Sequence, residues 1–488
     1  MNDQRLNQMM MAATLVFGAL SLPLAPLYAK DAVQDKIDEI VQAEAGFDLF
    51  SGTVVVADHG TVIYAKAVGE ANKEYHIPNT LETRFNISSV QKTFIATVIM
   101  QLVQSGEIEL TDPLVKYFPD CPYPTADRIQ IQHLLNHSSG LADYRDSDEY
   151  QLRAESFKNI DEVLPIVYKI EPAFDPGEDM EYSNAGVLYL KAIIERVTGK
   201  SLQENLTARI FRPLGMDNTV MFVGGDLLAN RATGHERAPD GEGFVRATGE
   251  PAAYAGGGIY TTGSDLLLFD QALYGEKLLD ARHKEIMFTP VGPQPVVAFG
   301  WFVIPWGGTT VVMHSGGSGG FSTEFRRYPE KNYTIIVNSN YGGGAGFEMT
   351  NAIEALLLGL PYEVTTEAVL WHREGMDLQR GEKYAEALAY FEKCVEGSNP
   401  HLPALYQAAR TRLLGEFEQA RAIELLDRYI ELADENADPS IAAAWWRKGV
   451  AYEQLANTGE AIASYKKSLE LDPGFEQSTE ALERLGAM

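Results

Sequence analysis

Two short runs of apolar residues, 53–57 and 62–68, predict a β-hairpin near the start of the chain. Apolar and polar positions alternate in them with the period of two that is typical of strands. Asp58-His59-Gly60 separates the runs, and these residue types favour a tight turn. Further strand patterns occur at 296–305, 309–314, 321–328 and 333–338.

Helical periodicity begins near Ser88, between these two groups of strands. Apolar residues recur at i, i+1, i+4, i+5 and i+8 from Phe94 to Leu102, which predicts a helix with one apolar face. A second helix is predicted over 186–197, with Gly199 as its cap. Strands at both ends with helices between them indicate an α+β domain whose sheet joins the two ends of that domain.

The C-terminal part of the chain repeats a helical pattern. A weak copy around Phe417 and Ala420 lies between two clear ones. Small residues at helix contacts and aromatic residues in the gaps are typical of tetratricopeptide repeats, more than of a generic helical bundle. We predict an all-α array of about three repeats with a final helix at 477–485. The matched residues lie 74 positions apart: Trp371, Gly375, Tyr384, Ala387 and Phe391, then Trp445, Gly449, Thr458, Ala461 and Tyr465.

The N-terminus is typical of an export signal. Arg5 precedes an apolar run at 9–24, and Ala29 offers a small residue for cleavage. The run is too short for a membrane span, and no other stretch is long enough, so we expect no transmembrane anchor in the mature chain. The predicted divisions are a signal peptide at 1–29, an α+β domain at 30–360, a linker at 361–366 and a repeat domain at 367–488.

Composition narrows the class of protein. Of the 488 residues, 45% are apolar and 22% are charged, which excludes a disordered chain. The net charge of −28 is spread along the sequence. A surface this negative repels phosphate backbones, so we expect no nucleic-acid partner. Cys121 and Cys394 are too few for a disulfide scaffold or a zinc cluster, and we expect two buried thiols rather than a bridge.

Ser89-Val90-Gln91-Lys92 places a hydroxyl and an amine one turn apart on one face of the first predicted helix. The free N–H groups and the positive dipole at the helix start favour an alkoxide on the serine and disfavour a second positive charge on the lysine. The motif S-x-x-K is short, however, and a helix cap beside a solvated lysine has the same pattern. Its meaning therefore depends on the motifs that follow.

Two further motifs follow in order. Tyr182-Ser183-Asn184 precedes the second helix, and His314-Ser315-Gly316-Gly317 follows a predicted strand. The set S-x-x-K, Y-x-N and H-x-G resembles the serine β-lactamase and penicillin-binding protein superfamily, in the class C-like branch that also includes DD-peptidases, D-aminopeptidases and esterases. Residues 85–88 (FNIS) and 133–141 (HLLNHSSGL) match this branch as well, and the resemblance covers roughly residues 37–360.

This resemblance implies a β-lactamase/transpeptidase-like fold, with an antiparallel sheet flanked by helices and a helical subdomain. A histidine at 314 replaces the lysine that β-lactamases usually carry, which argues against β-lactam hydrolysis. The resemblance also implies roles for the matching residues. It implies that Ser89 is the acylated nucleophile, that Lys92 takes or relays its proton, and that Tyr182 is the partner base that returns the proton to the leaving group. It further implies that Asn184 holds a substrate amide or orients Lys92, that His314 and Gly316 bind substrate, and that the backbone N–H groups of Ser89 and Gly317 form the oxyanion hole.

Three alternatives use other features of the chain. Residues 316–320 match the nucleophile elbow G-x-S-x-G, but the elbow needs a helix after Ser318, where a strand is predicted. His133 and His137 have the i, i+4 spacing of metal ligands, but the sequence shows no third ligand. A catalytically inactive scaffold whose repeats bind a protein of the cell envelope is the third alternative, and the complete set of motif residues argues against it.

The sequence therefore predicts a periplasmic or secreted serine hydrolase that forms an acyl-enzyme on Ser89. Esterase or D-amino-acid peptidase activity is favoured over β-lactam hydrolysis, and no metal or organic cofactor is expected. The expected partners are a small-molecule or peptide substrate and a protein bound by the repeats. Because an ordinary histidine has a pKa of about 6.5, we expect the KM of a carboxylate substrate to rise with pH as His314 titrates.

Overall fold

The computed structural model describes residues 30–153, 156–157, 160–222, 227–239, 241–247, 258–396, 400–435 and 437–487. The chain forms two compact units, with the boundary between Val364 and Thr365. The predicted export signal at 1–29 lies outside the described residues. Among the helices in these ranges, none is long and apolar enough to cross a membrane.

The first unit is built around a seven-stranded antiparallel sheet, in which residues from both ends of the unit pair with each other. The strands of this unit are β1 (Gly52–Asp58), β2 (Thr61–Val68), β3 (Glu70–Asn72), β4 (Ile77–Pro78), β5 (Phe85–Asn86), β6 (Val220–Phe222), β7 (His235–Arg237), β8 (Phe244–Arg246), β9 (Gly258–Thr261), β10 (Val297–Ala298), β11 (Trp301–Trp306), β12 (Thr309–Ser318), β13 (Phe321–Tyr328) and β14 (Tyr333–Ser339). The order in the large sheet is β10-β11-β12-β13-β14-β1-β2.

The pairing confirms the predicted hairpin and the α+β fold class. β1 and β2 form the hairpin, with His59-Gly60 between them. β14 lies antiparallel to β1, with Gly52 opposite Ser339, so the sheet joins the two ends of the unit as predicted. The strand predicted at 309–314 is longer than expected, because β12 continues along β13 as far as Ser318.

Helices cover both faces of the large sheet. Val55 and Ala57 of β1 belong to one core, whereas Val54 and Val56 belong to another on the opposite face. Since side chains of a strand point alternately to opposite faces, a strand covered on both sides is apolar at nearly every position. The helices of this unit are α1 (Lys30–Gly46), α2 (Gln91–Gln104), α3 (Ile131–Leu135), α4 (Asp148–Arg153), α5 (Leu164–Val167), α6 (Asn184–Thr198), α7 (Leu202–Leu206), α8 (Arg212–Leu214), α9 (Gly263–Ala272), α10 (Ala281–Phe288) and α11 (Phe347–Leu358).

The first predicted helix is a short 3₁₀ turn, Ser88–Val90, followed by α2. α2 is buried on nearly every side, whereas the sequence pattern predicts one apolar face. Thr93 and Thr97 tolerate this burial because their hydroxyls donate to the carbonyl oxygens of Val90 and Thr93, each at 2.8 Å. The helix therefore carries its polar residues into the interior of the first unit.

The second predicted helix is α6, which begins two residues before the predicted start. Ser183 caps it, because its side-chain oxygen accepts the N–H of Gly186 at 3.1 Å. Gly199 ends it with a φ of +66°, in the left-handed region that favours glycine. This cap places Asn184 at the first position of α6.

The second unit is a stack of helices. A Cβ atom on Gly375 would lie 2.6 Å from the ring of Phe391, and one on Gly449 would lie 2.4 Å from the ring of Tyr465. The repeated glycines therefore allow the aromatic residue of the next helix to pack closely. The helices are α12 (Glu367–Arg380), α13 (Tyr384–Val395), α14 (Leu402–Leu414), α15 (Gln419–Leu432), α16 (Ile441–Gln454), α17 (Thr458–Leu471) and α18 (Glu476–Arg484).

Both cysteines are free thiols. Cys394 is buried in α13, where its Sγ donates to the carbonyl oxygen of Ala368 at 3.3 Å. Cys121 is only partly buried, so the expectation of two buried thiols is correct for Cys394 alone.

Candidate active site

The end of β12 lies beside the turn that carries Ser89. A Cβ atom on Gly316 would lie 2.2 Å from the carbonyl oxygen of Ile87 and 3.1 Å from the backbone nitrogen of Ser89. Only a glycine lets the strand approach the turn this closely. Gly316 is buried. Its visible role is to allow this close packing, and the structure does not place it in contact with a substrate.

The turn before Ser89 has an unusual backbone conformation. Ser88 has a φ of +48°, which is costly for a residue with a side chain. Its N–H donates to Asn86 Oδ1 at 2.8 Å, and its hydroxyl shares a hydrogen bond of 2.5 Å with the hydroxyl of Ser318. These contacts hold the strained turn and tie it to the end of β12.

Ser89, Lys92 and Asn184 form one hydrogen-bonded group. Lys92 Nζ donates to Ser89 Oγ at 2.9 Å and to Asn184 Oδ1 at 3.0 Å. Ser89 is partly exposed, whereas Lys92 is 5% exposed. The structure thus brings the start of α6 against the S-x-x-K turn. Of the two roles predicted for Asn184, this contact supports the orientation of Lys92.

Asp143 and Arg145 extend the group, although the sequence motifs predict neither. Asn184 Nδ2 donates to Asp143 Oδ2 at 2.6 Å. Arg145 binds the same carboxylate through Nε, at 3.0 and 3.1 Å, and through Nη2, at 2.7 Å. Because the carboxylate accepts the amide N–H, the amide oxygen faces Lys92. The only local signal is that Asp143 caps a 3₁₀ turn, which is also common at positions without a functional role.

Burial lowers the pKa of Lys92 well below its ordinary value. The positive charges of Arg145 and Lys191 lower this pKa further, and the negative charge of Asp143 opposes them. Lys191 is itself buried in α6, and burial lowers its pKa to about 8. A lysine that has lost its proton can accept one from a neighbouring hydroxyl.

The phenol of Tyr182 lies next to this group. Lys92 Nζ is 4.9 Å from the centroid of its ring. Burial raises the pKa of Tyr182 to about 12, and a hydrogen bond with Ser89 opposes this effect. The phenol is therefore protonated at neutral pH. The predicted role of Tyr182 as a base would therefore require that the phenol first lose this proton.

His137 packs against the ring of Tyr182. The two ring centroids are 4.5 Å apart, and His137 Nδ1 accepts the N–H of Ser183 at 3.2 Å. Burial lowers the pKa of His137 to about 3, so the ring is neutral. His133 uses its Nδ1 to accept the N–H of Gln130 at 3.2 Å. Within the described ranges, no group of three or more His, Cys, Asp or Glu residues could hold a metal ion.

His314 is 2% exposed. Its Nδ1 lies 2.7 Å from the carbonyl oxygen of Ser315, and its ring centroid lies 6.4 Å from that of Tyr182. Burial lowers the pKa of His314 to about 3, and the charge of Lys92 contributes. The imidazole is thus neutral, as expected, but it titrates far below the expected pH. A histidine that titrates this far below neutral pH gives no reason for the KM of a carboxylate substrate to rise near pH 6.5.

Gly317 lies at an open edge of the sheet. β11 pairs with β12 only as far as Met313, whereas β13 pairs with β12 as far as Ser318. Gly317 is exposed, and apart from its chain neighbours no atom of the described residues lies within 4 Å of where a Cβ would be. A backbone N–H at such an edge, together with that of Ser89, suits a developing oxyanion.

Ser318 is not followed by a helix. β12 ends at Ser318, a turn follows at 319–320, and β13 begins at Phe321, where a strand is predicted. The nucleophile elbow requires a helix at this point. Ser318 instead bonds to the hydroxyl of Ser88.

A cleft opens in front of Ser89. The N-terminal turn of α2, the end of β12 and one face of α6 line it. Tyr144 and Arg145 complete the wall, and Lys191 lies two turns along α6 from Asn184. The cleft thus connects the proposed nucleophile with a region of buried positive charge.

Two family profiles match parts of the chain. A profile of the beta-lactamase family matches residues 37–360, and a tetratricopeptide-repeat profile matches residues 442–475. The second match covers α16 and α17, where the clear C-terminal copy of the repeat is predicted.

The chain is also similar to characterised cell-envelope proteins and amidases. It is 31% identical over 341 residues to penicillin-binding protein 4* of Bacillus subtilis (strain 168), which covers 64% of this chain and 74% of the relative. It is 27% identical over 320 residues to teichoic acid D-alanine hydrolase of Staphylococcus aureus, which covers 64% and 75%. The crystal structure of D-amino acid amidase from Ochrobactrum anthropi SV3 shares 25% identity, with a TM-score of 0.57 over 67% of this chain and 98% of the amidase. With a profile match over more than half of its length, the chain belongs to the beta-lactamase family.

Proposed function

We propose that this protein is an exported serine hydrolase that cleaves ester or amide bonds through an acyl-enzyme on Ser89. The observation that carries this proposal is the contact of 2.9 Å between Lys92 Nζ and Ser89 Oγ. Lys92 is buried, its pKa is lowered by burial, and Asn184 accepts its other hydrogen bond. A hydroxyl beside a neutral amine is an activated nucleophile.

In the first step, Ser89 Oγ attacks the substrate carbonyl and its proton passes to Lys92 Nζ. The new Oγ–C bond gives a tetrahedral intermediate whose oxygen accepts the N–H groups of Ser89 and Gly317. Backbone donors that are already in place stabilise this charge without reorganisation. The open edge at Gly317 supports this role, because among the described residues β13 pairs with that part of β12 on one side only and β11 does not reach it on the other.

The intermediate then expels an alcohol or an amine. Tyr182 is protonated, since burial raises its pKa to about 12, and the Ser89 hydroxyl acts on it strongly enough to oppose this rise. We infer that Tyr182 donates this proton to the leaving group and regains one through Lys92. A water molecule then attacks the acyl-enzyme and gives one proton to Lys92. That proton returns to Ser89 Oγ as the Oγ–C bond breaks and the acid is released.

For the substrate, we propose a D-amino-acyl ester or amide. A D-alanine hydrolase and a D-amino acid amidase are both relatives of this chain. Efficient β-lactam hydrolysis is not proposed, because the buried His314 is neutral and offers no positive charge for the carboxylate of a penicillin.

We also propose that the first unit is the catalytic domain and that the repeats bind a protein in the cell envelope. The signal-like N-terminus supports export to the periplasm or beyond. Relatives such as penicillin-binding protein 4* support an envelope location. Tetratricopeptide arrays bind partners on their concave face.

Covalent labelling tests the central step. Intact-mass spectrometry after treatment with a fluorophosphonate should show one adduct, which Ser89→Ala removes together with hydrolysis of D-alanyl esters. Ser318→Ala is the matched control, because Ser318 also lies at the cleft and should leave the adduct in place. A chelator should have no effect on either reaction.

Three outcomes would contradict the proposal. An adduct that persists in Ser89→Ala and disappears in Ser318→Ala would make Ser318 the nucleophile. Hydrolysis that stops with the chelator would favour a metal-dependent reaction. No adduct and no hydrolysis in a folded wild-type protein would favour the inactive scaffold.

A further inference from the structure

One end of the cleft carries positive charge that the proposed reaction does not use. Asn184 and Lys191 lie two turns apart on α6, at i and i+7, so they share one face of the helix. Both line the cleft, with Arg145 beside them. The cleft therefore runs along this face from Ser89 to Lys191.

Lys191 is a buried lysine on this face of α6. It is 6% exposed, and within the described part of the chain its Nζ makes no hydrogen bond or ion pair. Glu195, one turn along the helix, is the acidic residue whose charge acts on it. The carboxylate of Glu195 accepts the backbone N–H of Leu202 at 2.8 Å. Burying an unpaired ammonium is costly, so a ligand that pairs with it would recover free energy.

Arg145 contributes a second donor. Its Nε and Nη2 bind the carboxylate of Asp143, and Nη1 takes no part in that pair. Among the described residues that line the cleft, Arg145 and Lys191 carry positive charge beside the neutral Lys92 amine, and none is acidic. This local charge is opposite in sign to the net charge of −28 of the chain. A positive, low-dielectric cleft concentrates anions.

We propose that Lys191 and Arg145 form a subsite for a carboxylate on the acyl part of the substrate. The proposal rests on the acyl-transfer function above. Tyr182 donates its proton to the leaving group in that function, and Tyr182 is not among the residues that line this cleft. The leaving group therefore lies on the Tyr182 side, and the acyl part extends toward Lys191. A D-glutamyl group is one acyl group with such a carboxylate, and D-glutamine is its uncharged counterpart.

The competing explanation is that Lys191 acts only through Lys92, by lowering its pKa. That effect would change the turnover of every substrate alike. A carboxylate contact, in contrast, would favour only substrates that carry the charge. The ratio between two isosteric substrates separates the two explanations, because effects on Lys92 cancel in the ratio.

The test uses the 4-nitroanilides of D-glutamate and D-glutamine, which differ in one carboxylate. For wild type, kcat/KM should be higher for the D-glutamate compound. Lys191→Met should lower the ratio of D-glutamate to D-glutamine by about 10- to 100-fold, as expected for loss of a charged hydrogen bond. Lys191→Arg should restore most of the ratio, since it keeps the charge. Lys66→Met is the matched control, because Lys66 pairs with Asp38 and does not line the cleft.

A ratio that is the same in wild type and Lys191→Met would overturn the subsite. Calorimetric binding of both anilides to Ser89→Ala, with and without Lys191→Met, gives an answer that does not depend on turnover. If wild type cleaves neither compound but Ser89→Ala prefers D-glutamate through Lys191, the subsite stands and the proposed reaction fails. If Ser89→Ala shows no such preference, the subsite is refuted even when hydrolysis is observed.

Discussion

Replacing Lys191 by methionine should stabilise the protein at neutral pH. Lys191 carries a buried charge with no hydrogen bond or ion pair in the described part of the chain. Methionine is unbranched and adaptable, so it fills most of the space of the lysine side chain without the charge. The expected gain is the cost of desolvation that the lysine no longer imposes.

The pKa of Lys191 sets the size of this effect. Burial lowers it from 10.5 to about 8. At about 1.4 kcal/mol per pKa unit, this shift corresponds to about 3 kcal/mol against the charged form. The first unit ends at Val364. With an unfolding entropy of about 2.1 cal/mol/K per residue of this unit, Lys191→Met should raise its melting temperature by about 4 °C.

The pH dependence follows from the direction of the shift. Below pH 8 the lysine is charged in both the folded and the unfolded state, so the full cost is present. Between pH 8 and 10.5 the unfolded state binds more protons, and the stability of wild type rises with pH. Above 10.5 both states are neutral and the cost is gone. The advantage of Lys191→Met should therefore be largest at pH 7 and nearly absent at pH 10.5 or above.

Scanning calorimetry of the full chain at both pH values measures this difference. Lys284→Met is the control, because Lys284 Nζ already donates to the carbonyl oxygens of Tyr274 and Gly275 at 3.2 and 2.8 Å. Removing this partnered lysine should not stabilise the protein. A lower melting temperature for Lys191→Met at pH 7, or a gain that is equal at both pH values, would refute an unpaired buried charge.

Three other predictions concern the reaction and the two units. Tyr182→Phe should lower kcat by about 10²- to 10⁴-fold with the fold intact, and near-normal turnover would make Tyr182 structural. Because the pKa of His314 is about 3, the KM of a carboxylate substrate should show no histidine titration between about pH 5 and 8; a midpoint near 6.5 that is lost in His314→Gln would contradict the burial. A chain that ends at Val364 should still hydrolyse a small ester, whereas loss of activity in a folded truncation would mean that the repeats complete the site.

Many elements and contacts of this protein can be predicted from residues that lie close together in the sequence. Ser89 and Lys92 fall one turn apart at the start of a helix, and this spacing alone brings the hydroxyl and the amine together. The repeats can be predicted in the same way, because each glycine and its aromatic partner lie within one pair of neighbouring helices. Even the hairpin and α6 depend on nearby turn and cap residues.

The charges and pKa values of the site could not be predicted from local spacing. Asp143 and Arg145 follow no known motif in the chain, and their role depends on a contact with Asn184, which lies on another element. Lys191 resembles an ordinary helix lysine in sequence, and only the packing of α6 removes it from water. A pKa depends on burial and on charges from distant parts of the chain, neither of which is encoded in local spacing.

The sequence by itself therefore determined which groups are present for the chemistry, since the spacing within a helix or a repeat is set by the backbone. The tertiary structure decided their protonation states and their access to substrate. It buried His314 and moved its titration far below neutral pH, and it left Gly317 at an open strand edge. The physical reason is that solvation and long-range charge interactions arise only when separate elements pack together.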